Sequence, residues 1–119
     1  MLKSAVYNWN QIPAEPTPVG SRRPFFDSQT ATLDRLAVHS TTLNPGQQAH
    51  EPHQHPEEEI MIVKDGTLTA MINGQFTKME TGSIIHIAPN DLHGWKNTGN
   101  VPATYYVFRI WTAATGQAK

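Results

Sequence analysis

An all-β sandwich or barrel preceded by an extended N-terminal arm is the fold this sequence predicts, and three observations carry that expectation. From Leu33 onward, short runs rich in Val, Ile, Thr and aromatic residues are interrupted by turn signals at close spacing. No window sustains helical periodicity. The first stretch of the chain holds Pro13, Pro16, Pro18 and Gly20 with little apolar patterning, which suits an extended segment better than a helix or a central strand.

The elements follow in order. Residues 1–30 read as the arm. Tyr7, Trp9, Phe25 and Phe26 are too apolar for a free tail, so the arm is expected to pack on the barrel or on a partner subunit, and a homodimer is expected. Residues 31–119 read as the barrel. Its first run, Leu33 to Leu43, ends at Asn44-Pro45-Gly46. Glu59 to Lys64 runs into Asp65-Gly66, and Thr67 to Ile72 runs into Asn73-Gly74. Both dipeptides read as type I′ hairpin turns, in which both central residues take positive φ. Gln75 to Met79 stops at Thr81-Gly82, Ser83 to Ile87 at Pro89-Asn90-Asp91, and Thr104 to Trp111 closes the fold after Thr98-Gly99-Asn100. About eight strands result, with no internal repeat.

Composition narrows the function. A chain of 119 residues and 13.2 kDa is one domain, and area scaling lets it bury about two-thirds of its unfolded surface without a staple. Nine Lys plus Arg against ten Asp plus Glu leave a net charge of -1, which argues against a nucleic-acid partner. The absence of cysteine removes disulfides, thiolate nucleophiles and thiolate metal sites, so any metal must be held by His, carboxylate or backbone. No apolar run is long enough to span a bilayer, and Met1 to Val6 has no hydrophobic region of signal-peptide length. Arg22-Arg23 is followed by Pro24-Phe25-Phe26-Asp27 rather than the apolar run of a twin-arginine signal. A cytoplasmic protein with no membrane partner is the expectation.

The chemistry is concentrated in one place. Of the ten residues 50–59, seven are His or Glu: His50, Glu51, His53, His55, Glu57, Glu58 and Glu59. No Lys or Arg stands between Arg35 and Lys64 to neutralise them, so a bound cation is the natural balance. His53 and His55 are two apart, which on a strand sends both imidazoles to one face. Glu59 shares the parity of Met61 and Val63, so its carboxylate is expected to point inward, where it needs a partner. The fourth candidate is His93, just after the Pro89-Asn90-Asp91-Leu92 turn. Three imidazoles and a carboxylate suit Fe, Mn, Ni, Zn, Co or Cu better than the oxygen-seeking Ca or Mg.

This pattern resembles the two motifs of the cupin superfamily, and in particular its small, single-domain, RmlC-like members. Gly46, His53, His55, Glu59 and Gly66 match the first motif, with six residues before His53 where five are usual. Gly82, Pro89, His93 and Asn97 match the second, with Asp91 near the usual place of an inner glycine. The resemblance covers about residues 33–111. It implies a double-stranded β-helix, or jelly-roll barrel, with one divalent transition metal in the barrel mouth held by His53, His55, Glu59 and His93.

The remaining residues take plainer roles. His50 is expected at the rim, Glu57 and Glu58 as solvated turn carboxylates, His86 facing outward and His39 as a structural histidine. Met61, Met71, Ile85, Ile87 and Phe108 read as barrel packing. Met61, Trp95 and Tyr106 are the pocket candidates. The function implied is a metal-dependent enzyme of dioxygenase, isomerase or lyase type, acting on a small polar or carboxylate substrate. The alternative is a module that binds or senses a small molecule or sugar without turnover.

Overall fold

The computed structural model describes residues 1–115 and contains nine strands, β1 (Glu15–Thr17), β2 (Gly20–Ser28), β3 (Arg35–Leu43), β4 (Glu58–Asp65), β5 (Leu68–Ile72), β6 (Gln75–Met79), β7 (Ile84–Ile87), β8 (His93–Lys96) and β9 (Ala103–Trp111). The last four residues of the 31–119 span lie outside the described residues. All strand pairs are antiparallel. They form a six-stranded sheet in the order β1-β2-β3-β9-β4-β7 and a three-stranded sheet in the order β6-β5-β8. This is the jelly-roll barrel expected.

One core joins the sheets. Leu43, Met61, Val63, Ile85, Tyr105 and Val107 from the larger sheet meet Leu68, Ala70, Met79 and Trp95 from the smaller one. The odd-numbered residues of β4 and β9 supply it, as strand alternation requires. Burying these side chains is the main term that stabilises the barrel, at roughly 1.5–3 kcal/mol for each large one.

Three local outcomes differ from or sharpen the sequence expectation. The first concerns the arm, because β2 is a full strand of the sheet, in register with β3 from Gly20↔Leu43 to Ser28↔Leu36. Pro24 is tolerated because β1 covers only Gly20 to Arg22, which leaves β2 as the sheet edge at Pro24. The register shifts between Pro24 and Phe26. Residues ahead of β1 pack across the outer face of the same sheet: Trp9 lies 5.9 Å from Tyr106 and 6.2 Å from Phe25, and Tyr7 lies 5.1 Å from Phe26. Arg23 secures this segment by stacking 4.5 Å over Trp9 and donating to the Trp9 and Ile12 carbonyls.

The second concerns Asp65-Gly66, which is not a hairpin. β4 pairs with β7 and β9, whereas β5 lies in the other sheet, so the turn crosses between sheets. Only Gly66 has positive φ, at 81°, and a Cβ there would sit 2.8 Å from the Pro102 carbonyl oxygen. The third is Asn73-Gly74, where both residues have positive φ (47° and 88°) and Ile72 pairs with Gln75 across a two-residue loop. That is the type I′ turn expected.

Candidate metal centre

His53 and His55 lie on the segment that enters β4, Glu59 is the second residue of β4, and His93 opens β8. The two histidine segments are tied by backbone. His53 N–H donates to the His93 carbonyl at 3.0 Å, and His93 N–H donates back at 2.9 Å. Asn90 N–H donates to the His55 carbonyl at 2.8 Å. The type I′ turn takes part, since Leu92 N–H donates to Asn73 Oδ1 at 2.9 Å and Asn73 Nδ2 donates to Asp91 Oδ1 at 3.1 Å. Asn97 is fully buried and structural, donating to the Leu43 and Val101 carbonyls. The route by which His53 and His55 converge differs from the expectation: only His53 is in a ladder, as an isolated bridge to His93, and His55 is in a loop. Pro52 and Pro56 keep this stretch from extending into a regular strand.

One donor atom from each of His53, His55, Glu59 and His93 lies within 4.8 Å of the others. The three imidazoles form a near-equilateral triangle with centroid separations of 4.9, 4.9 and 5.1 Å. Glu59 Oε1 is 2.8 Å from His55 Nε2 and 3.3 Å from His93 Nε2. These spacings suit donors around an ion at bond lengths of about 2.1 Å.

The hydrogen bonds at the outer ring nitrogens decide what the inner ones present. His93 Nδ1–H donates to the Asp91 carbonyl at 2.8 Å, and His55 Nδ1–H donates to the Glu57 carbonyl at 2.9 Å. In the neutral tautomers assigned by those partners, both Nε2 atoms carry lone pairs toward Glu59. His93 Nε2 is buried with no hydrogen-bond partner. Lone pairs facing a carboxylate repel it unless a cation lies among them, so the donor set fits a divalent transition metal.

The titrations describe the same atoms without an ion, where a proton takes the place of the cation between the imidazoles and Glu59. Burial raises the Glu59 carboxyl, but the His55 and His93 imidazoles outweigh it and hold the group at about 2. Burial, followed by the neighbouring His50, His93 and His55, lowers His53 to about 4, so it is a neutral ligand at pH 7. Burial opposes protonation of His93, yet the Glu59 carboxylate 3.3 Å from its Nε2 leaves it raised.

A cavity of about 290 Å³ opens in front of the cluster, with His39, His53, Glu59, Trp95, Tyr105 and Arg109 on its walls. Trp95 therefore lines the cavity. Met61 does not, being fully buried in the core. Tyr106 faces the outer side of the sheet against Trp9 and Phe25, and the inward tyrosine is its neighbour Tyr105, whose burial pushes its hydroxyl up to about 12. A larger groove, of about 620 Å³, lies between β5-β6 and β7 and has Lys78 as its one charged lining residue.

Two expectations for single residues are corrected. Glu57 is not a solvated turn carboxylate: it is 2% exposed and forms an ion pair with the Arg109 guanidinium. The signal for this lay in β9, where Arg109 shares the inward parity of Tyr105 and Val107 and so needs an acid inside. His39 is on the cavity wall, and burial lowers it to about 4. Glu58 and His86 are exposed and pair with each other at 2.7 Å, with His86 facing outward as expected. His50 is exposed and stacks on His53 with centroids 4.0 Å apart.

Residues 39–109 match the family profile described as Cupin domain. The chain belongs to the cupin family. A curated relative, the HTH-type transcriptional activator RhaS of Klebsiella pneumoniae (strain 342), is 35% identical over 63 residues. That match covers 53% of this cupin and 23% of the relative, so the chain spans about a quarter of the relative's length. Among solved structures, an uncharacterized conserved protein with a double-stranded β-helix domain from Klebsiella pneumoniae subsp. pneumoniae MGH 78578 superposes with a TM-score of 0.75 at 20% identity. It covers 98% of this cupin and 95% of that chain. An RmlC-like cupin from Shewanella frigidimarina NCIMB 400 gives 0.73 at 15% identity, covering 92% and 94%. These likenesses establish the fold. Among the described residues, no helix of this cupin is long and apolar enough to cross a membrane.

Proposed function

We propose that this cupin binds one divalent transition metal (Fe, Mn, Ni, Zn, Co or Cu) through His53, His55, Glu59 and His93 and acts as a metal-dependent enzyme on a small carboxylate. The observation that carries the reading is the convergence of the buried Nε2 of His93, which makes no hydrogen bond, with the His55 Nε2 and the Glu59 carboxylate. A bound ion would supply Lewis-acid or redox chemistry. Three neutral imidazoles and one carboxylate leave one positive charge on a divalent ion, which favours an anionic ligand where screening by water is weak. Around the cluster, Tyr105 stays protonated and His39 stays neutral at pH 7, so the cavity wall offers a hydroxyl donor and an imidazole acceptor.

The test is to strip the protein with a chelator, reload it with each metal in turn, and measure binding of oxalate, pyruvate and neutral sugars by calorimetry. One metal per chain and carboxylate binding only by the loaded protein support the reading. No uptake, or metal-independent binding of neutral sugars, overturns it. The likeness to a transcriptional activator favours a second reading, a sensing module that binds its ligand without turnover. Recovering the bound carboxylate chemically unchanged after long incubation with the loaded protein supports that alternative. We also read the protein as a homodimer, because Val6 and Tyr7 stay exposed beside the outer face of the larger sheet. A monomer in sedimentation at micromolar concentration overturns that.

A further inference from the structure

Arg22 carries a charge that no hydrogen bond or ion pair among the described residues answers. The chain has four arginines. Arg23 donates to the Trp9 and Ile12 carbonyls, Arg35 forms a two-bond pair with Asp27, and Arg109 pairs with Glu57. The Arg22 guanidinium has no acceptor among the described residues, and Glu15, its register partner on β1, makes no ion pair with it. Position makes this more than a loose surface charge. Arg22 pairs with Thr41 on β3, and Thr41 pairs with Tyr105 on β9, so the three residues form one row across the sheet. All three line the cavity that ends at the His/Glu cluster.

The charges along this cavity sum in a specific way. Arg109 is cancelled by Glu57, and His39, which lies between Arg22 and Glu59 on the wall, is neutral at pH 7. With a divalent ion among the ligands, one positive charge remains at the cluster and one at Arg22. A second feature also calls for an acceptor: Arg109 Nε, on the same wall, is buried and makes no hydrogen bond. A monoanion held at the cluster would leave Arg22 unanswered.

The geometry points to a ligand with two acidic ends, one carboxylate at the His/Glu cluster and a second, distal carboxylate taken by Arg22 at the cavity mouth. Arg22 is then the residue that separates dicarboxylates from monocarboxylates. This inference rests on the proposed metal-and-carboxylate reading and adds the substrate class. A guanidinium gives a carboxylate two parallel charge-assisted bonds, which a methyl group at the same place forgoes.

The experiment compares 2-oxoglutarate with 2-oxopentanoate, which has a methyl group where the former has its distal carboxylate. Binding of each acid to the metal-loaded protein and to its Arg22→Gln and Arg22→Lys variants is measured by calorimetry. Arg22 is exposed and unpaired, so the variants are expected to fold, and unchanged melting temperatures will check this. We expect the native protein to favour 2-oxoglutarate by about tenfold or more. Arg22→Gln should erase that preference while leaving 2-oxopentanoate binding unchanged, and Arg22→Lys should restore part of it. Metal-dependent binding of both acids with equal affinity, or a preference that survives in Arg22→Gln, overturns the assignment of Arg22 and leaves the metal reading standing. Failure of both acids to bind the loaded protein, or equal binding without metal, overturns the reading on which it rests.

Discussion

Arg109 stands directly opposite Glu59 in the β4-β9 ladder, yet its guanidinium pairs with Glu57 two residues earlier. The consequence is chemical. Glu59 is left to the imidazoles, and a cation that would otherwise compete with a metal for that carboxylate is held away from it. Glu57 in turn contacts His55, whose Nδ1–H bonds its carbonyl. The ion pair therefore supports the cluster from outside.

Replacing Glu57 with Gln should release Arg109 toward Glu59. We expect metal affinity to fall by about tenfold or more, as for loss of other outer partners of a metal site, with destabilisation of about 1–3 kcal/mol from the unpaired guanidinium. The double variant Glu57→Gln, Arg109→Gln should recover much of the metal affinity. Metal titration and urea melts on the three proteins measure both effects. Full affinity in the single variant would show that the pair does not shape the site.

Loading with metal should raise the melting temperature, because the ion binds the folded chain alone. Alanine at His53, His55, Glu59 or His93 should each abolish the increment and cut metal stoichiometry sharply, while circular dichroism stays that of a β-protein. His93→Ala should also lower the metal-free melting temperature most, since His93 is fully buried. An increment that survives in all four variants would place the ion elsewhere.

His39 gives the metal-free protein an acid-side weakness. Its folded value of about 4 lies below the ordinary 6.5, so the unfolded chain binds more protons between those values. The stability it contributes is fully present above pH 6.5 and is lost as pH falls toward 4. We expect about 1–2 kcal/mol from this source, after discounting for partial exposure. His39→Gln should flatten that part of the stability profile, as read by urea melts from pH 7 to pH 4. An unchanged slope would mean that His39 does not carry the effect.

Gly66 should be much less replaceable than Gly82. Its φ is 81° and an added Cβ would meet the Pro102 carbonyl oxygen at 2.8 Å, whereas Gly82, at 87°, has open space around it. We expect Gly66→Ala to cost about 2–4 kcal/mol and Gly82→Ala about 1 kcal/mol. Equal losses in denaturant melts would remove the role assigned to close approach.

Several features were legible in the sequence because neighbours along the chain determine them. The Asn73-Gly74 turn needs only two residues that accept positive φ, and the cluster of His53, His55 and Glu59 is read within seven positions. His93 was added by the spacing of the second motif. Tertiary structure alone decided the rest. Glu57 and Arg109 are 52 residues apart, and their pairing exists only because β9 lies beside β4. The choice of Tyr105 over Tyr106 for the cavity depends on which face of β9 is the inner one. Composition conceals that choice, because Trp9 and Phe25 cover part of the outer face and both tyrosines find apolar surroundings. Local backbone preference acts over a few residues, whereas the partners of a strand are set by the burial that the whole chain achieves. The ring tautomers and the unpaired guanidinium of Arg22 belong to that second kind of information.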